Sequence, residues 1–297
     1  MPPAKRLQVD VDGHTLSLSN LAKVLYPETG FTKGHVLDYY TRIAPTVLPH
    51  LRGRPLTMKR YPNGVAEKFF YEKNKPKHAP EWIRSAPLDG VDYIVCDDRA
   101  TLVWLANMAD LELHPSLALA TGYASPTVVA FDLDPGPPAT VVECAEVAVR
   151  LRTALAGIGL DCVPKTSGSK GMQVYVPLNT PCSYERTRPF AKTVAQALER
   201  SDGSLVTSLM RKDLRVGKIF VDWSQNDQHK TTVGAYSLRA MPRPTVSTPV
   251  TWEEVDAVRA SGDPADLTFT SDEVLARVEA LGDLWAPVAT LQQSLPG

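Results

Sequence analysis

The chain has 297 residues, 43% of them hydrophobic, with 32 basic and 33 acidic side chains and a net charge of -1. That length supports a substantial core, and the near-zero charge excludes a global field that would draw the protein to nucleic acid, so any such binding must come from local patches. No run approaches the ~18 to 20 apolar residues of a membrane helix, residues 1–14 carry no signal-like apolar segment, and Cys96, Cys144, Cys162 and Cys182 have neither zinc nor disulfide-framework spacing; a cytoplasmic protein with reduced, packing cysteines and no membrane contact is expected.

Residues 6–18 alternate apolar and polar about an Asp-Gly pair, which predicts a short hairpin. A helix follows with Thr32 as N-cap, its end blurred by Pro45 and Pro49. Strands are expected at 55–61 and 67–73, and an amphipathic helix over 99–113 that runs into His114-Pro115. The stretch 79–98 reads as a loop or a weak boundary. "VVAFDLDPG" (128–136) is an apolar strand ending in acids, and residues 139–157 form a second strong helix ended by Gly157 and Gly159. Strand, Gly-rich turn and strand follow at 162–178, then a helix near 184–200, a short helical piece near 204–214 and the strand "GKIFVDWS". A Pro-rich stretch at 242–249 leads to a tail with one or two helices. Alternating strands and helices without a repeat predict a mixed α/β architecture (α+β mixed sheets).

Three constellations carry chemistry. In a strand, residues two apart share a face, so Asp132 and Asp134 project side by side, with roughly 6 to 7 Å between their Cα atoms. Turn-forming acids at a strand end would account for them equally well. Asp222 repeats the pattern 90 residues downstream, and three acids on two strands are what two-metal phosphoryl transfer requires, although Asp222 could simply cap a turn through Ser224 and Asn226. "TSGSKG" (166–171) can form a nest of backbone N–H groups with an added cation, Lys170, suited to a triphosphate; it lacks Walker A spacing, and a plain hairpin turn would explain its glycines. His114, Lys59, Arg60 and Arg239 are further phosphate-binding candidates, and the aromatics of "KFFYEK" either stack on bases or face the core.

"FDLDPG", "SGSKG", "VDWSQN" and "YSLR", in this order, closely resemble the polymerase domain of bacterial DNA ligase D, of the archaeo-eukaryotic primase group, from about residue 17 to about 290. The resemblance implies a primase-like polymerase fold in a single domain, 1–297. Its parts would be a DNA-end and 5′-phosphate-binding part (about 1–80), a catalytic core (about 90–240), and a C-terminal Pro-rich arm with helices (about 241–297). It implies Mn²⁺ or Mg²⁺ on Asp132, Asp134 and Asp222, and nucleotide contacts at Lys59, His114, Ser167, Ser169, Lys170, Arg239 and the nearby Gln225. A 5′-phosphate pocket falls on Asn20, Lys23 and Lys33, and template stacking on Phe70 and Tyr71. The implied activity is template-directed transfer of NTPs or dNTPs to a primer, filling short gaps in DNA repair near the nucleoid. The implied partners are gapped or broken DNA bearing a 5′-phosphate, with a separate ligase or a Ku-type end-binding protein as further candidates, and the chain is expected to be a monomer.

Three departures stand out. The family reads "SGSKGLH" where this chain has Gln173, the segments at 84–95 and 115–127 are shorter, and no ligase or phosphoesterase domain is attached, which suggests a stand-alone relative. The competing readings are a DxD phosphohydrolase, disfavoured by Pro135 after the motif, and a non-catalytic binder of DNA ends or gaps.

Overall fold

The structure, a computed structural model, describes residues 6–297, so the first five residues of the expected N-terminal part lie outside it. Strands β1 (Arg6–Val11) and β2 (His14–Ser19) pair antiparallel about Asp12 and Gly13, both at positive φ, as the Asp-Gly signal predicts. β3 (Val24–Tyr26) pairs with β4 (Phe31–Thr32), and α1 (Lys33–Leu51) starts on a Thr32–His35 capping box. Pro45 and Pro49 do not stop this helix: its buried stripe of Val36, Tyr40, Ile43, Val47 and Leu51 outweighs the two missing backbone donors.

A five-stranded sheet is built around β5 (Pro55–Arg60). It adds β6 (Phe70–Glu72), a hairpin of β7 (Ser85–Leu88) and β8 (Val91–Val95), and, after α2 (Arg99–Asn107), β9 (Asp110–Pro115). Two expectations change here. The strand at 67–73 shrinks to Phe70–Glu72, and the helix expected over 99–113 ends at Asn107. Ala109, at φ 56, breaks the helix, and residues 110–115 pair with β5 because Leu111 and Leu113 then enter the core from one face. His114 therefore sits on a strand, not at a helix end. Residues 79–98, which include the β7–β8 hairpin, are part of the sheet rather than a boundary.

The second sheet runs β11–β12–β10–β14–β13: β10 (Val128–Pro135), β11 (Val163–Thr166), β12 (Met172–Pro177), β13 (Val206–Thr207) and β14 (Ile219–Asp222). Between them run α3 (Val141–Ala156) and α4 (Tyr184–Ser201). The piece near 204–214 is β13, parallel to β14, followed by a single 3-10 turn at Lys212–Leu214. The tail forms α5 (Trp252–Ser261), α6 (Ser271–Leu281) and α7 (Ala286–Thr290), three helices where one or two were expected. The four cysteines are free, three of them buried.

Period-2 alternation splits the second sheet between two cores. Val129, Phe131 and Leu133 of β10, Met172, Val174 and Val176 of β12, and Ile219 and Val221 of β14 face α3, α4 and α5. Val128, Ala130 and Tyr175 face the other core, which joins α1, α2 and the first sheet to Tyr236, Val274 and Trp285 near the C-terminus. No helix among the described residues is long and apolar enough to cross a membrane.

Candidate active site

The parity that sends Val128 and Ala130 into the first core also places Asp132 and Asp134 on that face of β10, beyond the point where apolar packing ends. Asp132 is the register partner of Asp222 on β14 and of Gln173 on β12, which in turn pairs with Lys165 on β11. A row Lys165–Gln173–Asp132–Asp222 thus crosses four strands on one face. The Ser224 amide and hydroxyl donate to Asp222 Oδ1 (2.9 and 2.6 Å), and Gln225 Nε2 donates to Oδ2 (2.7 Å). Asp222 therefore caps its turn and faces Asp132 at once. Asn226 does not join that cap; its amide closes on the backbone of Ala130.

Desolvation and the neighbouring Asp134 push the Asp132 carboxyl up to about 7, with Gln173 and Lys165 opposing. Asp134, open to solvent on one side, is raised by desolvation and by Asp222. Gln173 is buried and its Oε1 has no hydrogen-bond partner. Three hard oxygen donors that repel one another in a partly desolvated site are chemically suited to a hard divalent cation. Among the described residues no three acids, histidines or cysteines already form a closed ligand set.

A cleft of about 390 Å³ opens between the two sheets, lined by Asp132, Gln173 and Gln225 on one side and by Thr57, Tyr71, Lys73 and His114 on the other, with Arg239 also in its lining. Behind this wall lies Glu112, 1% exposed, which the sequence reading missed. Its carboxylate accepts from Lys59 Nζ (3.1 Å), His114 Nε2 (3.0 Å), Tyr61 Oη (3.3 Å) and the Ala240 amide (3.1 Å), and lies 3.6 Å from Arg239 Nε. Burial alone would raise the Glu112 carboxyl; His114, Arg239 and Lys59 outweigh it and hold the group well below the usual carboxylate range. Lys59 is thereby tied inward and does not line the cleft. The alternation Asp-Leu-Glu-Leu-His, placing Glu112 and His114 on one strand face, was the available signal.

The "TSGSKG" turn folds on itself. Ser167 Oγ accepts from the amides of Ser169 (3.2 Å) and Gly171 (3.1 Å), and the Ser167 carbonyl accepts from Arg239 Nη1 (2.9 Å). Ser167 thus shapes the turn, while Ser169 and Lys170 line a neighbouring cavity of about 230 Å³ with Pro135 and Thr140, away from the aspartate cleft. Gly168 sits at φ +69, where a Cβ would come within 2.5 Å of the Val246 carbonyl and 2.7 Å of Arg239 Cγ. Gly168→Ala is accordingly expected to destabilise the fold by roughly 1–3 kcal/mol, measured by denaturant melts.

Elsewhere, Lys33 N–H donates to the Lys23 carbonyl beside the β3–β4 pair, which brings together lysines ten positions apart. Lys33 Nζ donates to the Ser19 carbonyl (2.7 Å), and Lys23 Nζ to Pro62 O and Asn63 Oδ1 (2.5 and 2.9 Å). Burial and the nearby Lys23 lower Lys33 to about 8. Asn20, at φ 57, opens the turn whose carbonyl accepts from the Lys23 amide. Phe70 and Tyr71 are 43% and 57% exposed, so these aromatics face outward rather than the core; Tyr71 meets the His114 ring edge-on at 5.9 Å. Phe69, also exposed, lies 4.6 Å from Lys59 Nζ.

Comparison with known proteins matches residues 32–285 to the family model "LigD, primase-polymerase domain". The chain is 44% identical over 277 residues to the multifunctional non-homologous end joining protein LigD of Mycolicibacterium smegmatis, covering 91% of this chain and 36% of that protein. It is 32% identical over 268 residues to the bifunctional LigD of Bacillus subtilis, covering 90% and 43%. The chain therefore spans well under half the length of these relatives. The solved polymerase domain of Mycobacterium tuberculosis ligase D in complex with DNA superposes with a TM-score of 0.86 at 42% identity, over 94% of this chain and 99% of that one. The mixed α/β fold is the primase-like one expected, and the chain belongs to the LigD primase-polymerase domain family, a family of DNA-directed nucleotidyltransferases.

Proposed function

We propose that this chain extends primers and fills short gaps in DNA by template-directed nucleotidyl transfer from NTPs or dNTPs. The observation that carries this reading is the register pairing of Asp132 with Asp222, with Asp134 on the same face of the strand, beside a cleft that Asp132 lines together with His114 and Arg239. One or two divalent cations, Mn²⁺ or Mg²⁺, would be held by the three aspartates and would supply Lewis acidity at the primer hydroxyl and charge neutralisation at the triphosphate. Gln225 holds Asp222 in place, and Arg239 and His114 receive the anionic phosphates. Exposed Phe70 and Tyr71 offer stacking faces for unpaired template bases. Ser169 and Lys170 line their own cavity beside the turn, from which they would reach the distal phosphates or the primer backbone. Gap or end DNA is the partner this arrangement suits, since the solved relative is a complex with DNA; a separate ligase or Ku-type protein and a monomeric state belong to the same reading. Primer extension on a gapped duplex with Mn²⁺ tests it: a folded wild-type protein without incorporation would refute the activity.

Asn20, Lys23 and Lys33 would hold the 5′-phosphate on the far side of the gap. Two adjacent ammonium groups with only neutral oxygen partners gain most from an anion, which also reverses the depression of Lys33. Because the unliganded Lys33 loses its proton as pH rises through about 8, the preference for 5′-phosphorylated over 5′-hydroxyl gaps is expected to fall about threefold or more between pH 7 and pH 9. Lys33→Arg, charged throughout, should flatten that profile. The folding sign is the opposite: the unfolded chain keeps this proton up to 10.5, so stability rises with pH between about 8 and 10.5.

A further inference from the structure

His114 lies between Glu112 and the cleft. Its Nε2 is 3.0 Å from Glu112 Oε2, and Nδ1 has no hydrogen-bond partner among the described residues, although the ring lines the cleft. Glu112 is anionic, so the neutral imidazole must carry its proton on Nε2 and donate it inward. Nδ1 then presents a bare lone pair to the cleft. A lone pair cannot accept a phosphate oxygen, which is itself an acceptor; only a protonated Nδ1 can.

The groups facing this ring are Lys59 on β5, Tyr71 on β6 with Lys73 just after it, Arg239 from the segment after β14, and, across the cleft, Asp132 and His229. Burial, Arg239 and Lys59 hold His114 below its ordinary value, with Glu112 opposing them, so at neutral pH the empty site holds the neutral ring. An incoming polyanion offsets the cationic field of Arg239 and Lys59 and supplies the missing acceptor.

We propose that Glu112 is a positioning residue for triphosphate binding: it ties Lys59, His114 and Arg239 to one buried carboxylate and fixes His114 with Nε2 inward and Nδ1 outward, so that polyphosphate binding draws one proton from solvent onto Nδ1. This rests on the polymerase reading of the cleft. The proton balance is closed: buffer loses one proton, the imidazole becomes an imidazolium donating at both nitrogens, and no covalent bond changes. Glu112 touches no substrate and acts only through the side chains it holds.

The test uses inorganic tripolyphosphate without divalent metal, which silences the metal chemistry at the aspartates, titrated by calorimetry at pH 7 in buffers of different ionisation enthalpy. Wild type is expected to take up close to one more proton per bound anion than Glu112→Gln and His114→Asn. The Glu112→Gln/His114→Asn double variant should match His114→Asn alone. The dissociation constant of wild type should tighten several-fold more steeply per pH unit, from pH 7.5 down to 6, than that of either single variant. In primer extension, Glu112→Gln should shift the pH profile of the nucleotide KM and leave that of kcat unmoved, which a purely structural role would not do. Equal proton uptake in wild type and Glu112→Gln overturns the inference while leaving the polymerase reading intact. If Glu112→Gln does not fold, unchanged proton uptake in His114→Asn overturns it instead. Wild type that binds no polyphosphate with or without Mn²⁺ overturns both.

Discussion

Replacing both Asp132 and Asp134 by asparagine is expected to abolish primer extension, by about 10³-fold or more, and at the same time to make the metal-free protein more stable. The loss follows because an amide cannot supply the anionic ligands that a divalent cation needs, and metal catalysis contributes several kcal/mol of barrier lowering. The gain follows from the raised carboxyl. Asp132 titrates at about 7 in the fold against 3.8 as a free side chain, because it is desolvated and crowded by Asp134. The folded protein therefore binds more protons than the unfolded chain in that window, and stability falls as pH rises from about 4 to about 7. Asparagine mimics the neutral form, so the advantage of the variant should be largest above pH 7, on the order of 1–3 kcal/mol, and should vanish below about pH 4. Thermal melts in EDTA across that range check the sign. Adding Mn²⁺ should raise the melting temperature of wild type and not of the variant. A variant less stable than wild type at pH 8 would mean that the aspartates are held by partners that repay their desolvation.

Arg239→Gln is expected to lower kcat/KM for the incoming nucleotide by roughly 10- to 100-fold, the equivalent of one or two charge-assisted hydrogen bonds to phosphate. Arg239 is suited to such contacts: Nη1 braces the Ser167 carbonyl, Nε has no hydrogen-bond partner in a nearly dry position, and the side chain borders the aspartate cleft. Steady-state kinetics with the nucleotide varied should show most of the loss in KM. Because the guanidinium also links the "TSGSKG" turn to Glu112, an Arg239→Lys variant, which keeps the charge but loses the fork, should recover only part of the activity. Full recovery would mean that only the charge is used.

The features legible in the sequence are local ones. The apolar alternation of residues 128–136 with Asp132 and Asp134 on one parity, the Asp-Gly hairpin, the Thr32 cap and the glycine turn at 166–171 are each set by a few neighbouring residues and their dihedral preferences. The helix drawn over 99–113 failed because apolar residues in that window satisfy both periods, and the decision between helix and strand lay with β5, whose open edge accepts residues 110–115. That error concealed Glu112, whose acidic side chain looks like surface until β9 turns it against Lys59, His114 and Arg239. Likewise only the family resemblance singles out Lys23 and Lys33, and nothing local shows that the β3–β4 pairing brings them together.

What the sequence by itself determined about this protein is the mixed α/β class, the aspartate strand and, through the order of its motifs, the family. What only the tertiary structure decided is which polar groups meet: Asp132 with Asp222 across a strand register, and Glu112 with Lys59, His114 and Arg239 from β5, β9 and the segment after β14. Register and long-range pairing depend on burying one face of each strand against partners tens to more than a hundred residues away, and no local pattern encodes that choice.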